Sequence, residues 1–345
     1  MTSPYNKLLK FYTLILAFCT FLLIIAGGLV TSTDSGLSVP DWPLSYGKVM
    51  PPMVGGILYE HGHRMIASTV GFLTVILVIL AFRKEERSWL RKLSIIALVA
   101  VVLQGILGGL TVLYLLPTWI SVSHATLAQT FFCVVSAIAV FESFWWQDTT
   151  TPLVDEKRGR SLLTFGFVAV GAVYIQLILG ALMRHTGSGL AVPDFPLAYG
   201  QLFPSLSPDA LNQYNTSLIL KDIRLAADGP ISGDQIIIHM MHRLWAVVTA
   251  ILVMTFAYRL LRQSRNSTKL RIPAIALFIL IPLQITLGAL TVLTRKAVDV
   301  TTIHVASGAL ILVISVVATL MVYRIIPHRV AIQRSENLTL KEATA

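Results

Sequence analysis

The sequence predicts an all-α polytopic membrane protein with eight transmembrane helices, arranged as two parallel, pseudo-symmetric four-helix bundles. Three observations predict it. Of 345 residues, 55% are hydrophobic and only 13% charged, with a mean hydropathy of +0.75, more apolar surface than a water-soluble domain can hide. Eight stretches are each long and apolar enough to cross a bilayer, which takes roughly 20 residues. A run of loop and helix text also recurs, in order, in the second half of the chain.

The spans fall at about 9–31, 62–82, 93–115, 121–144, 162–184, 238–258, 272–294 and 302–323. The first is too long for a cleaved signal peptide and no A-x-A-type site follows it, so it reads as a transmembrane helix. The second, fourth, sixth and eighth open on His63, His124, His242 and His304. The third and seventh carry Gly105, Gly108, Gly109 and Gly288, small residues that permit close helix approach or clear room for a flat ligand. The fifth follows a polar stretch around 147–161. The expected organisation is an N-terminal half at 1–146, a cytoplasmic linker at 147–161, a C-terminal half at 162–325 and a cytoplasmic tail at 326–345.

Orientation follows from the cations. The termini and the loops after the second, fourth and sixth spans hold 19 of the 27 Lys and Arg, from Lys7 and Lys10 through Arg83–Lys92, Lys157–Arg160 and Arg259–Arg271 to Lys341. Both termini are therefore expected on the cytoplasmic side of the cell membrane (the inner or plasma membrane). This bias explains the net charge of +10, so the charge argues for no nucleic-acid partner. Cys19 and Cys133 both fall inside predicted spans and read as small buried residues, with neither a disulfide nor a zinc site implied.

The duplication is explicit. Gly36-Leu37-Ser38-Val39-Pro40-Asp41-Trp42-Pro43-Leu44-Ser45-Tyr46-Gly47 returns as Gly189-Leu190-Ala191-Val192-Pro193-Asp194-Phe195-Pro196-Leu197-Ala198-Tyr199-Gly200. His63-Arg64 returns as His242-Arg243, the text from Leu103 to Val112 as Leu283 to Val292, and His124 as His304. The offset grows from 153 to 180, which places an insertion of about 26 residues near 205–228. The halves keep the same direction, so the axis relating them runs along the membrane normal. Trp42 and Phe195 suit either an interfacial anchor or the cover of a cofactor edge.

Two histidines at one depth in each half suit axial ligation of a flat, iron-bearing macrocycle. Zinc asks for three or four ligands in tetrahedral array, and copper, which also accepts imidazole, stays open. The bland reading, four interfacial hydrogen-bonding histidines, does not explain their duplication in register, and polar groups within membranes are costly. Arg64 and Arg243 offer planar donor forks for the carboxylates of such a cofactor, against a bland reading of snorkelling. One mismatch breaks the symmetry: Glu60 stands three residues before His63 on the same helical face, whereas His239 holds that place before His242. A carboxylate beside a metal centre can move protons, so the first half reads as the reacting site and the second as an electron relay. The bland reading of Glu60 is a helix N-terminal acid favoured by the dipole.

Together, the duplicated frame, Glu60-x-x-His63-Arg64, the single histidines His124, His242 and His304, and the loop from Ser35 to Pro43 resemble the heme A synthase family over about residues 8–325. The resemblance implies oxidation of the C8 methyl of heme O to a formyl group, giving heme A for cytochrome oxidase assembly. It also implies that His63 and His124 flank the substrate macrocycle and that His242 and His304 ligate a resident haem b through its iron. Glu60 would be the catalytic carboxylate, with Arg64 and Arg243 on the cofactor side. Many members of that family carry a cysteine pair in the first exported loop; residues 33–60 and 186–237 here hold no cysteine, so this chain resembles a cysteine-free branch. The implied partners are heme O, a heme O synthase, an electron donor and membrane lipid; a homo-oligomer is left open. A bis-histidine iron has no free position for dioxygen, which favours stepwise oxidation with oxygen from water. A quinone-linked two-haem b-type electron carrier accounts for the histidines equally but leaves Glu60 without a task. A haem transporter with the same repeats would ask for broken helices at matching places.

Overall fold

A computed structural model describes residues 7–147, 156–223, 229–263 and 268–326. Eight helices are long and apolar enough to span a bilayer: α1 (Lys7–Ser32), α2 (Gly55–Lys84), α3 (Ser88–Leu113), α4 (Thr118–Phe141), α6 (Glu156–His185), α8 (Gly233–Gln263), α9 (Thr268–Leu293) and α10 (Val298–Ile325). Two shorter helices complete the set, α5 (Phe144–Gln147) and α7 (Pro208–Leu220). Among the described residues there is no β-strand, only two isolated bridges, one in each of the duplicated loops. Most of the linker at 147–161 and nearly all of the tail at 326–345 lie outside the described residues.

The chain is a multi-pass membrane protein. α1, α2, α3 and α4 close one ring of packed neighbours, and α6, α8, α9 and α10 close a second. Three further contacts join the rings: α1 with α10, α4 with α6, and α4 with α10. The first two exchange when the halves are exchanged, and the third maps onto itself. α10 is the most enclosed span, and its Ala306-Ser307-Gly308-Ala309 run keeps its backbone close to its neighbours. One apolar core sits within each ring, around Leu16, Leu77 and Ile138 in the first and Phe256, Leu277 and Leu312 in the second. A smaller cluster of Ile24, Phe132, Ala309 and Val313 fills the seam between them.

The helices start earlier than hydropathy indicates. α2 begins at Gly55 rather than 62, and α8 at Gly233 rather than 238. At α2 the first turn must pass the loop that follows α1: a Cβ on Gly56 would lie 2.0 Å from Ser38 Oγ, so only glycine fits there. At α8, Ser232 and Gln235 cap each other, with Ser232 N–H donating to Gln235 Oε1 at 3.1 Å and Gln235 N–H to Ser232 Oγ at 3.4 Å. That reciprocal cap satisfies two donors that would otherwise be orphaned. Within the insertion, α7 starts on the Ser207 cap with Pro208 in its first turn.

On the face opposite the duplicated loops, Arg87 ties three helix ends together. Its guanidinium donates to Glu85 (2.7 and 2.8 Å), to Glu142 (3.1 Å) and to the Phe141 carbonyl (3.0 Å). The two carboxyls part company. Burial, reinforced by the hydrogen bond and charge of Glu85, pushes Glu142 up to about 8 against the pull of Arg87. Burial alone would raise Glu85 too, but hydrogen bonds from Arg87, from Glu142 and from the Arg87 amide bring it down to about 2. A protonated Glu142 thus shares this clamp with an ionised Glu85. Cys19 and Cys133 are free and half-buried within α1 and α4.

Candidate functional site: two histidine pairs beneath duplicated loops

All four repeated histidines lie within their helices rather than at the mouths. At 1.5 Å per residue, His63 and His242 lie about 12–14 Å past the starts of α2 and α8, and His124 and His304 about 9 Å past those of α4 and α10. The fold brings them together by halves: His63 lies within electrostatic reach of His124, and His242 of His304.

Each imidazole leans on a glycine of the preceding helix. A Cβ on Gly27 of α1 would come within 3.2 Å of His63 Cε1. On Gly108 (α3), Gly180 (α6) and Gly288 (α9) it would come within 3.1 Å of His124, His242 and His304 in turn. A larger residue would displace the ring, so these glycines fix where each imidazole can stand. Gly27 and Gly180 are 153 residues apart, and Gly108 and Gly288 are 180 apart, the same offsets as the sequence repeat.

Glutamines hold the backbone behind the rings. Gln104 Nε2 donates to the His124 carbonyl at 2.9 Å and Gln284 Nε2 to the His304 carbonyl at 3.1 Å. Gln176 sits 3.2 Å from both ring nitrogens of His242 and donates to its carbonyl at 3.1 Å; Leu23 holds the matching place in the first half. The halves differ again at Gln284, whose Oε1 accepts from Ser307, whereas Gln104 Oε1 is sealed without a partner. His63, His124 and His304 each have a sealed Nδ1 without a partner, and Nε2 of each makes no hydrogen bond among the described residues. Imidazoles with uncommitted nitrogens, braced by glycine and paired in apolar bundles, fit axial ligation of a macrocycle's iron. Among the described residues no group of three or more His, Cys, Asp and Glu gathers as a metal cage.

Above each pair lies the repeated loop, built to one plan. Asp41 accepts from the amides of Tyr46 (2.6 Å) and Gly47 (2.8 Å), and Asp194 from those of Tyr199 (2.8 Å) and Gly200 (2.9 Å). These amide bonds hold the exposed Asp41 carboxyl below the usual carboxylate range. Tyr46 and Tyr199 close the loops by donating to the carbonyls of Ser38 and Ala191, each at 2.7 Å. Trp42 lies across α3, where a Cβ on Gly109 would be 2.7 Å from its ring, and Phe195 lies under the Arg243 guanidinium at 5.7 Å.

Both arginines hold these loops. Arg64 donates to the carbonyls of Val39 (3.1 Å), Asp41 (2.7 Å) and Leu44 (2.9 Å). Arg243 reaches the equivalent carbonyls of Val192 (3.1 Å), Asp194 (2.7 Å) and Leu197 (3.1 Å). Glu60, only 3% exposed, is engaged on both oxygens: Oε1 accepts from Arg64 at 2.6 Å and Oε2 from the Val39 amide at 2.7 Å. In the second half, His239 Nδ1 meets the Ser188 carbonyl at 2.9 Å instead. His61 joins Ser45 Oγ at 2.8 Å while its Nε2 is sealed and unpartnered. Glu60 and His239 both staple a helix to its loop, but only Glu60 brings a carboxylate.

Comparison with known proteins agrees with this frame. The sequence model of the cytochrome oxidase assembly protein family COX15-CtaA matches residues 10–55 and 54–316. A heme A synthase of Alkalihalophilus pseudofirmus is 25% identical over 303 residues, covering 87% of this chain and 92% of that protein. One from Halalkalibacterium halodurans is 27% identical over 331 residues (92% and 96%), and one from Shouchella clausii 26% over 326 residues (93% and 97%).

Proposed function

The chain belongs to the cytochrome oxidase assembly protein family COX15-CtaA, and from that premise we propose that it is a heme A synthase, a membrane oxidoreductase that oxidises the C8 methyl of heme O to a formyl group. Its near-full-length relatives bear that name. The observation that carries the reading is the unequal duplication: two glycine-braced histidine pairs of one design, of which only the first has Glu60 one turn from a histidine.

His63 and His124 hold the substrate macrocycle between α2 and α4. His242 and His304 hold a resident haem b, which supplies a one-electron relay when bound. Gly27, Gly108, Gly180 and Gly288 fix the imidazoles, and Gln176 orients His242. Glu60, ion-paired with Arg64, stands beside the substrate pair; converting methyl to formyl with one oxygen from water releases four protons and four electrons, the electrons leave to an external one-electron acceptor, and a carboxylate at this place can receive the protons. Arg64 and Arg243 act from the cofactor side by holding the loops over the two sites. Both termini face the cytoplasm of the cell membrane, and heme O arrives from a heme O synthase.

The test is to purify the protein from cells that make heme O and separate its pigments by reverse-phase chromatography, for wild type and Glu60→Ala. Wild type should contain heme A or its hydroxylated precursor, and Glu60→Ala should accumulate heme O. Heme O alone in both would overturn the assignment.

A further inference from the structure

The two halves meet at two equivalent points on the exported side. At one, the end of α1 touches α10, with Thr302 Oγ1 donating to Ser32 Oγ at 3.2 Å. At the other, the end of α6 touches α4, with Thr118 Oγ1 donating to the His185 carbonyl at 3.2 Å. In the repeat, Thr31-Ser32 correspond to Arg184-His185. At these junctions the first half therefore carries two hydroxyls where the second half carries two basic side chains. His185 lies within electrostatic reach of His124, and Arg184 of Asp34.

Arg184 is half-buried in the last turn of a spanning helix. Its guanidinium makes no hydrogen bond and no salt bridge among the described residues, unlike Arg64, Arg87 and Arg243. A planar five-donor group with no acceptor from the described residues is matched to a bidentate carboxylate. Thr118, to which its neighbour is pinned, stands six residues, about 9 Å, before His124 on the same helix, so the end of α6 meets α4 within two turns of that ring.

We propose that α6 of the second half lends Arg184 to the first-half site as the anchor for a carboxylate of the macrocyclic substrate, with His185 beside it. The assignment deepens the synthase reading and rests on the His63–His124 pair being the substrate site. It makes the substrate site a product of both halves and gives that site a charge the relay site lacks. It also sets which way round a substrate bearing carboxylates on one edge can sit, and hence which methyl lies near Glu60.

The test uses the full chain carrying its resident haem. Iron protoporphyrin IX and its dimethyl ester are titrated into wild type, Arg184→Gln, Arg184→Lys and His63→Ala, with binding read from the haem spectrum. Wild type should hold the diacid about tenfold to a hundredfold more tightly than the diester, the range of a charge-assisted bond. Arg184→Gln should lose that preference while keeping the diester affinity, and Arg184→Lys should keep part of it. An undiminished preference in Arg184→Gln, with binding lost in His63→Ala, overturns the Arg184 assignment alone. Unchanged binding of both probes in His63→Ala overturns the substrate-site reading and this inference with it. Loss of the resident haem in Arg184→Gln would place the anchor in the other half and also overturn the proposal.

Discussion

Replacing the glycine behind a single imidazole should disable one half and spare the other. At Gly288→Ala the new methyl would stand 3.1 Å from His304 Cε1, whereas carbon contacts settle at about 3.5–4.0 Å. The ring must therefore withdraw by a few tenths of an ångström, more than the ±0.2 Å or so that a metal–ligand bond accepts. Overpacking of this kind costs about 1–3 kcal/mol, while alanine returns about 1 kcal/mol of helix propensity. Helix stability therefore changes little, and the strain falls on the ligand. If it falls wholly there, resident haem is held about 5- to 150-fold more weakly. Gly108→Ala, with the same 3.1 Å spacing at His124, should leave that haem in place and slow turnover instead. The assay is haem content per chain, from the reduced-minus-oxidised spectrum, beside heme A formation in the same preparation. Full resident haem in Gly288→Ala, or equal loss of that haem from both variants, would refute the half-by-half bracing of the ligands.

Four further substitutions probe the loop staples and the Arg87 clamp. Glu60→Gln keeps an acceptor for the Val39 amide but cannot take up a proton; it should retain resident haem and fold while heme A formation falls at least tenfold, and near-normal formation would remove Glu60 from the chemistry. Arg64→Lys leaves the carbonyls of Val39, Asp41 and Leu44 short of donors; at about 1–3 kcal/mol for an unsatisfied group, melting should drop and substrate binding weaken without loss of resident haem, whereas Arg243→Lys should loosen that haem. At the Arg87 clamp, Glu142 is raised to about 8, so its stabilising contribution is complete below the ordinary glutamate value of 4.5 and falls as pH climbs to about 8. Glu85, lowered to about 2, contributes above 4.5 and weakens only in acid. Wild type should lose melting temperature between pH 5 and 8 relative to Glu142→Gln, and parallel profiles for the two proteins would contradict this.

The spans, their pairing by halves and the histidine frame were legible because duplication prints the same residues twice. Helix starts at Gly55 and Gly233 were not, since Glu60, His61, His63 and Arg64 in α2, and Asp234 and Gln235 in α8, lower local hydropathy although the backbone is helical. The Ser232-x-x-Gln235 capping box and the Ser207-Pro208 start of α7 were signals in plain sight. The glycines were visible as small residues, but which faced an imidazole depended on helix rotation set by packing. The loop carbonyls gathered by Arg64 and Arg243 have no sequence signature, because every residue carries one. Gln176 and Arg184 carry no mark in the sequence, and His185 reads only as a weaker candidate, because they are not duplicated and a search for repeats passes over what only one half possesses.

The central claim is that one half reacts and the other relays. Pigment analysis of four single variants tests it directly: His242→Ala and His304→Ala should each lose haem b, whereas His63→Ala and Glu60→Ala should each keep it and fail to make heme A. Loss of haem b from the first-half variants, or heme A formation undiminished by Glu60→Ala and His63→Ala, would contradict the division between the halves.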